Sequence, residues 1–362
     1  MEKEDINVAD VLAGQEHSTL TADERAFLEL AELYRIRANS SYAEHEYTLE
    51  RNGVGFGPKG NVMAIAAEKK AGKTWFGMAM AAAMLKGEFL GMKSRVPNGK
   101  VIFFDTEQDQ IDGQKIQKRI HYINGWEFDK DNDRFQIFHL REISPDKRAD
   151  FVSKAIRYYK PDMAIVDGIR DLLTDFNDLT QSAKIIQEFM TLSSECNTAI
   201  WTVLHVNPNS EKMRGHLGTE LGNKVADILF LSKHGHDDDV YYKMEETDSR
   251  GHKDICSISF RIDDTKPFGI PVMLDDIQVE DINENRKVEL QTLMAKYMSD
   301  GAAWSASKLR DALKAGEHIG SSKAWKVIQE AKASGVLNEV LNKLILSNKI
   351  TVPEKTDDET PF

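Results

Sequence analysis

Residues 62–85 constrain this chain more than any other stretch. The apolar run Val62-Met63-Ala64-Ile65-Ala66 leads into Ala67-Glu68-Lys69-Lys70-Ala71-Gly72-Lys73-Thr74, and an alanine- and methionine-rich helical pattern follows over 74–85. Strand, Gly-Lys-Thr loop and helix in direct succession read as a P-loop, in which backbone N–H groups and the helix amino terminus converge on phosphate. Lys73 would neutralise the β and γ phosphates of a nucleotide such as ATP, and Thr74 would give an oxygen to Mg2+. The candidate nucleotide-binding set is Ala67, Glu68, Lys69, Lys70, Ala71, Gly72, Lys73, Thr74 and Trp75. Ala67 replaces the first glycine of GxxxxGK[ST], so a strand, a turn and a helix with a chance Gly-Lys-Thr is the structural alternative.

Around this segment, apolar runs alternate with helical ones. Strands are expected at 62–66, 101–105, 135–140, 163–167 and 199–204, and helices at 74–85, 110–124, 146–159 and 182–196. Such alternation predicts an α/β fold with a mostly parallel sheet. Runs at 225–231, 240–244 and 255–262 lack intervening helices and read as an antiparallel extension, ending the α/β domain near Leu274. Before it, 23–37 reads as one helix within a helical amino-terminal segment, 1–52. Gly53-Val54-Gly55-Phe56-Gly57-Pro58-Lys59-Gly60 reads as too rich in turn residues for a strand or helix.

Acidic residues 275–285 read as a linker. Helices at 288–298, 305–313 and 321–333 then make a small last module, 286–350, with a polar tail, 351–362, expected to be disordered. Residues 286–350 carry eleven Lys or Arg against six Asp or Glu, in a chain of formal charge -12. That overall charge argues against coating nucleic acid or an anionic membrane by bulk electrostatics, while leaving this local basic patch. Two cysteines, Cys196 and Cys256, make no disulfide framework, and no run nears the ~20 apolar residues of a membrane span, so a cytoplasmic setting without a membrane partner is expected. His234-Gly235-His236-Asp237-Asp238-Asp239 lacks a strong ligand spacing and reads as a polar hairpin loop.

Hydrolysis at a P-loop calls for a metal carboxylate, a base and added positive charge. Met163-Ala164-Ile165-Val166-Asp167 ends a buried strand on Asp167, the candidate Mg2+ ligand; Gly168 follows, so the base must come from elsewhere. Val101-Ile102-Phe103-Phe104-Asp105-Thr106-Glu107 brings Glu107 to the same rim to polarise water, with Asp105 as competitor and a helix-capping role as alternative. His205, after the run 200–204, fits a γ-phosphate sensor or a solvated strand end. Arg214, in Lys212-Met213-Arg214-Gly215-His216, fits an arginine finger reaching a neighbouring subunit's nucleotide, a DNA phosphate contact, or simple exposure.

In this order the motifs resemble the RecA-like ATPases, specifically the RepA-like branch related to replicative hexameric helicases. The resemblance spans roughly residues 53–274, and Phe104-Asp105-Thr106-Glu107, Val166-Asp167-Gly168-Ile169-Arg170-Asp171 and Arg214-Gly215-His216-Leu217-Gly218-Thr219-Glu220-Leu221 look like ATPases of bacterial mobile elements. It implies a RecA-like core binding ATP and Mg2+ through Lys73 and Thr74, with Glu107 as catalytic base, Asp167 on Mg2+, His205 as switch and Arg214 as finger. It also implies a homo-oligomer, a hexamer in the helicases, that acts on DNA. One departure is the 171–181 loop, which in such proteins faces a DNA channel and here is acidic with no Lys or Arg.

The last module resembles a winged helix, with 321–332 as recognition helix, Ser321 as its cap, Ala324, Val327, Ile328 and Ala331 on its inner face, and Lys323, Lys326 and Lys332 turned to DNA phosphates. A protein-docking helical module is the alternative. Three functions are therefore expected in order: a Mg2+-dependent oligomeric ATPase acting on DNA, with helicase activity as one form; a non-translocating ATPase switch that loads or regulates another DNA enzyme; and a DNA-binding regulator holding nucleotide as a structural ligand.

Overall fold

The computed structural model describes residues 21–207, 213–235, 239–299 and 301–347. Expectations placed on 1–20, Lys212, His236, Asp237, Asp238 and the 351–362 tail lie outside the described residues.

Helix α1 (Ala22–Tyr34) begins with a capping box, in which Thr21 Oγ1 accepts from Glu24 N–H and Glu24 Oε2 accepts from Thr21 N–H. It ends at Tyr34, three residues before the expected 37, because Arg35 turns extended. The glycine-dense segment is not a loop. Strands β1 (Tyr47–Arg51) and β2 (Val54–Pro58) pair antiparallel through an Asn52-Gly53 turn with both residues at positive φ, the local signal of a tight hairpin. Glycines line this strand because there is no room for more: a Cβ on Gly55 would lie 2.8 Å from the Tyr47 ring, and one on Gly57 2.8 Å from Thr48 Oγ1.

Next come β3 (Val62–Ala67), α2 (Lys73–Lys86), β4 (Glu88–Phe89), β5 (Met92–Ser94), β6 (Val101–Asp105), α3 (Gln110–Asn124), β7 (Phe135–His139), α4 (Pro145–Tyr159) and β8 (Met163–Asp167). The chain continues through α5 (Leu179–Cys196), β9 (Ala199–His205), α6 (Gly215–Lys224), β10 (Asp227–His234), β11 (Tyr241–Ser249), β12 (Ile258–Asp263) and β13 (Ile270–Leu274). Among the described residues one nine-stranded sheet has the order β13-β12-β11-β10-β3-β9-β8-β6-β7. From β3 to β7 neighbours are parallel, and β11, β12 and β13 are antiparallel. The fold is therefore α/β with a mostly parallel sheet and an antiparallel extension.

Parallel strands covered on both faces read as unbroken apolar runs. Accordingly β3, β6 and β8 are buried along their whole length. Val62, Ala64, Phe104, Val166 and Ile200 pack one sheet face against Ile156, Ile186, Phe189 and Leu221 of the helices. At about 25 cal/mol per Å2 of apolar surface withdrawn from water, such a layer supplies the main stabilisation.

Two compact units emerge: Met1–Ala67, Phe76–Phe230 and Glu246–Cys256 form the first, and Glu68–Trp75, Leu231–Glu245 and Ser257–Phe362 the second. In the second, the acidic stretch expected to be a linker is helical. Asp275 and Gln278 form a capping box at the start of α7 (Asp276–Met298), where acidic side chains suit the positive end of the helix dipole. Helices α8 (Ala306–Gly316) and α9 (Ser321–Ala333) and the hairpin β14 (Leu337–Val340) and β15 (Lys343–Leu346) complete the module. Met294, Leu309, Ala324, Ile328, Val336 and Leu344 share its core. Gly320, not Ser321, is the N-cap of α9.

Candidate active site

Sheet register settles which ends meet. Ala67 pairs with His205, Asp167 with Val203, and Asp105 with both Asp167 and His139, so the carboxyl ends of β3, β9, β8, β6 and β7 form one edge. In open α/β sheets that edge is where ligands bind. Ala67 itself is the fully buried last residue of β3 and has no positive φ, so an alanine fits where the motif has glycine.

Within the second unit the loop after β3 turns through Lys70 and Gly72, both at positive φ, before α2 begins at Lys73. Gly72 cannot carry a side chain: a Cβ would lie 2.7 Å from the Tyr242 ring, which stacks on Phe260 at 5.3 Å. Lys73 is buried, with Nζ donating to Glu68 O at 3.3 Å. Its ammonium is therefore held inside the loop whose backbone N–H groups and helix terminus favour an anion.

Within the first unit the carboxylates are organised by short-range bonds. Asp105, fully buried, accepts at Oδ1 from the N–H groups of Glu107 (3.1 Å) and Gln108 (3.0 Å), which turns the chain sharply after β6. Its Oδ2 is buried with no hydrogen-bond partner, and burial pushes the carboxyl above the usual aspartate range despite the two N–H donors. Thr106 Oγ1 lies 2.8 Å from Asp167 O and 2.9 Å from Asp171 Oδ2, donating to either. Asp171 is likewise raised, by burial first. Gly168, at φ 108, fits only as glycine, since a Cβ would lie 2.2 Å from Thr106 Oγ1.

The turn after Asp105 presents Glu107, whose Oε1 lies 3.7 Å from His205 Nε2. His205 O accepts from Arg214 N–H at 3.0 Å, and the Arg214 guanidinium lies 5.8 Å from the Phe176 ring centroid. Arg170 covers the same ring at 4.0 Å. Structure thus joins Glu107, His205 and Arg214 in one chain of contacts and puts Asp105 and Asp167 side by side. Thr106 and Asp171 were missed by sequence reasoning, although Thr106 lies between two residues it selected. In the acidic loop, Asp178 caps α5 and Asp175 accepts from Asn177 N–H, so the acids fold the loop on itself.

On α9, Ala324, Val327, Ile328 and Ala331 are buried as the pattern required. Lys323 and Lys326 are exposed. Lys332 differs from expectation: it is half-buried and paired with Glu339 of β14 rather than turned out to a ligand.

A family described as an AAA domain matches residues 42–211, which include the P-loop, Glu107, Asp167 and His205. No curated protein matches. Among solved structures, a KaiC-like protein of the hyperthermophilic archaeon Pyrococcus horikoshii is similar over 65% of this chain and 100% of its own, with 13% identity and a TM-score of 0.42. The matched domain, the strand order and the strand–loop–helix at 62–86 support an AAA-type P-loop ATPase domain built on an α/β sheet. Among the described residues no helix is long and apolar enough to cross a membrane.

Proposed function

We propose that this chain hydrolyses ATP, with Glu107 drawing a proton from water as the water oxygen bonds to the γ-phosphorus and the bond to the β-γ bridging oxygen breaks. The 3.7 Å approach of Glu107 to His205, on the edge where β3 hands over to the P-loop, carries this reading. Lys73 binds the transferred phosphoryl group, and His205 senses its loss through Glu107. Thr74 and Asp167 would hold Mg2+, which neutralises developing phosphate charge. In the first unit Asp167, in register with Asp105, whose buried Oδ2 has no hydrogen bond, offers the oxygen ligands that suit that hard cation. Arg214 acts on a neighbouring subunit's nucleotide in a homo-oligomer, and the last module contacts DNA through Lys323 and Lys326.

Glu107→Gln tests the base: ATP binding is expected to persist while turnover falls by ~10^2 or more. Unchanged turnover removes the assignment, and an equal loss in Asp105→Asn with normal Glu107→Gln turnover transfers it to Asp105. Mixing Arg214→Ala with Lys73→Ala subunits restores activity only if sites are shared. The self-capped acidic loop 171–181 favours a second reading, an ATPase switch that does not translocate on DNA. A strand-displacement assay together with ATPase rates on single- and double-stranded DNA separates the two.

A further inference from the structure

Apart from the nucleotide edge, one cluster of potential ligands stands out in the first unit. Asp227, Glu246 and His252 each turn one ligand atom toward the others, all within 4.8 Å of one another. Their side chains are 1%, 4% and 6% exposed. Ala226, just before Asp227, donates its N–H to Val62 O at the start of β3, which sets the cluster at the sheet edge opposite to the one carrying Asp167.

The atoms facing away are each satisfied by backbone. His252 Nδ1 lies 2.8 Å from Lys253 O, Asp227 Oδ2 accepts from Gly57 N–H at 2.9 Å, and Glu246 Oε2 accepts from Ile255 N–H at 3.2 Å. A carbonyl only accepts, so Nδ1 carries the ring proton, and in a neutral ring the Nε2 lone pair points inward. Nε2 sits 3.1 Å from Asp227 Oδ1 and 3.5 Å from Glu246 Oε1, and Oε1 is buried without a hydrogen bond. Asp227 Oδ1 also accepts from Ser249 Oγ, at a long 3.5 Å, which leaves the mutual repulsion of three inward acceptors largely unrelieved unless a cation lies among them. A second ring proton would satisfy Asp227 but still leave Glu246 Oε1 unbonded. A tetrahedral ion with bonds of ~2.1 Å sets neighbouring ligand atoms ~3.4 Å apart, which matches both separations.

We propose that Asp227, Glu246 and His252 bind one divalent transition-metal ion of zinc type, each ligand oriented by a backbone partner. Imidazole with two carboxylates suits such an ion, and outer hydrogen bonds of this kind fix ring orientation at metal sites. The ion ties β10, β11 and the 250–256 segment to β2, whose Gly57 holds Asp227.

The test uses the full chain. Protein purified without chelator is measured for metal by mass spectrometry, stripped, and titrated with Zn2+ against a chromophoric competitor and with Co2+ by visible absorption. One zinc per chain is expected, with tetrahedral Co2+ bands, and affinity falling on the order of 100-fold in Glu246→Gln and in His252→Ala. Lys73→Ala keeps the affinity, which separates this site from the P-loop. Far-UV circular dichroism checks folding; should His252→Ala not fold, the near-isosteric Glu246→Gln decides alone. The proposal is overturned if stripped wild type takes up no Zn2+ or if Glu246→Gln binds it as tightly as wild type.

Discussion

Gly168→Ala is the sharpest perturbation of the proposed catalytic edge, because its cost divides into two parts that can be measured separately. An L-residue at φ 108, ψ 55 costs ~1–2 kcal/mol in backbone conformation alone. The added Cβ would also lie 2.2 Å from Thr106 Oγ1, so Thr106 must abandon its 2.8 Å bond to Asp167 O, and losing a buried bond of this kind costs ~1–2 kcal/mol. The sum is ~3 kcal/mol. Gly125→Ala is the control, since Gly125 is also left-handed, at φ 69, but has nothing within 4 Å of a built Cβ and should lose only ~1 kcal/mol. Urea unfolding of Gly168→Ala, Thr106→Ala and the double variant closes a cycle. With Oγ1 gone the closest clash disappears and only the end of the Asp171 side chain, Oδ2 at 2.9 Å, still crowds the Cβ, so the pair should couple by ~1–2 kcal/mol. ATP turnover should fall in Gly168→Ala, because Asp167 is displaced with Thr106. Equal costs at Gly168 and Gly125, or a cycle without coupling, would refute the reasoning.

Two further outcomes follow from the second unit. Burial first, and the nearby Lys243 ammonium after it, depress the His234 pKa, so the unfolded chain takes up a proton that the folded chain refuses. Stability from this group is therefore complete above the ordinary histidine value and declines as pH falls through it; His234→Phe, keeping a ring stacked on Tyr241, should flatten the decline in unfolding curves taken at stepped pH. On α9, Lys323→Glu with Lys326→Glu should weaken DNA binding and reduce its salt slope by ~2, whereas Lys332→Glu, already committed to Glu339, should leave the slope nearly unchanged by fluorescence anisotropy.

Much of the parallel core was legible because its strands are buried on both faces and leave apolar runs with no other reading. The placing of the P-loop, Asp167 and His205 at strand ends was legible because each adjoins such a run, and Glu107 lies two residues past another. What escaped depends on pairs distant in sequence. Gly55 and Gly57 looked like turn residues, yet they are small because Tyr47, Thr48 and Trp201 crowd them; the Asn52-Gly53 hairpin turn was the overlooked signal. The 275–285 acids signalled a helix start, through Asp275 and Gln278, rather than a break. No local pattern joins Asp227, Glu246 and His252. For α1 the helix was readable and its burial was not: Phe27, Leu30 and Tyr34 are exposed, so amphipathic spacing alone did not guarantee a partner among the described residues.

The position of the proposed base follows from the same crowding. Many P-loop enzymes place an acid directly after the metal aspartate, but here Thr106 occupies the space that a side chain at 168 would need. In the proposed reading the base comes instead from the end of β6, and Asp105 makes that workable: by accepting two backbone N–H groups it bends the chain so that Glu107 leaves the strand toward His205 instead of continuing along it. Thr106 excludes a carboxylate at one strand end while its neighbour on either side shapes and supplies the replacement. Asp105, Thr106, Glu107 and Gly168 therefore act as one unit, and exchanging the arrangement for an acid at 168 would require removing Thr106 in the same step.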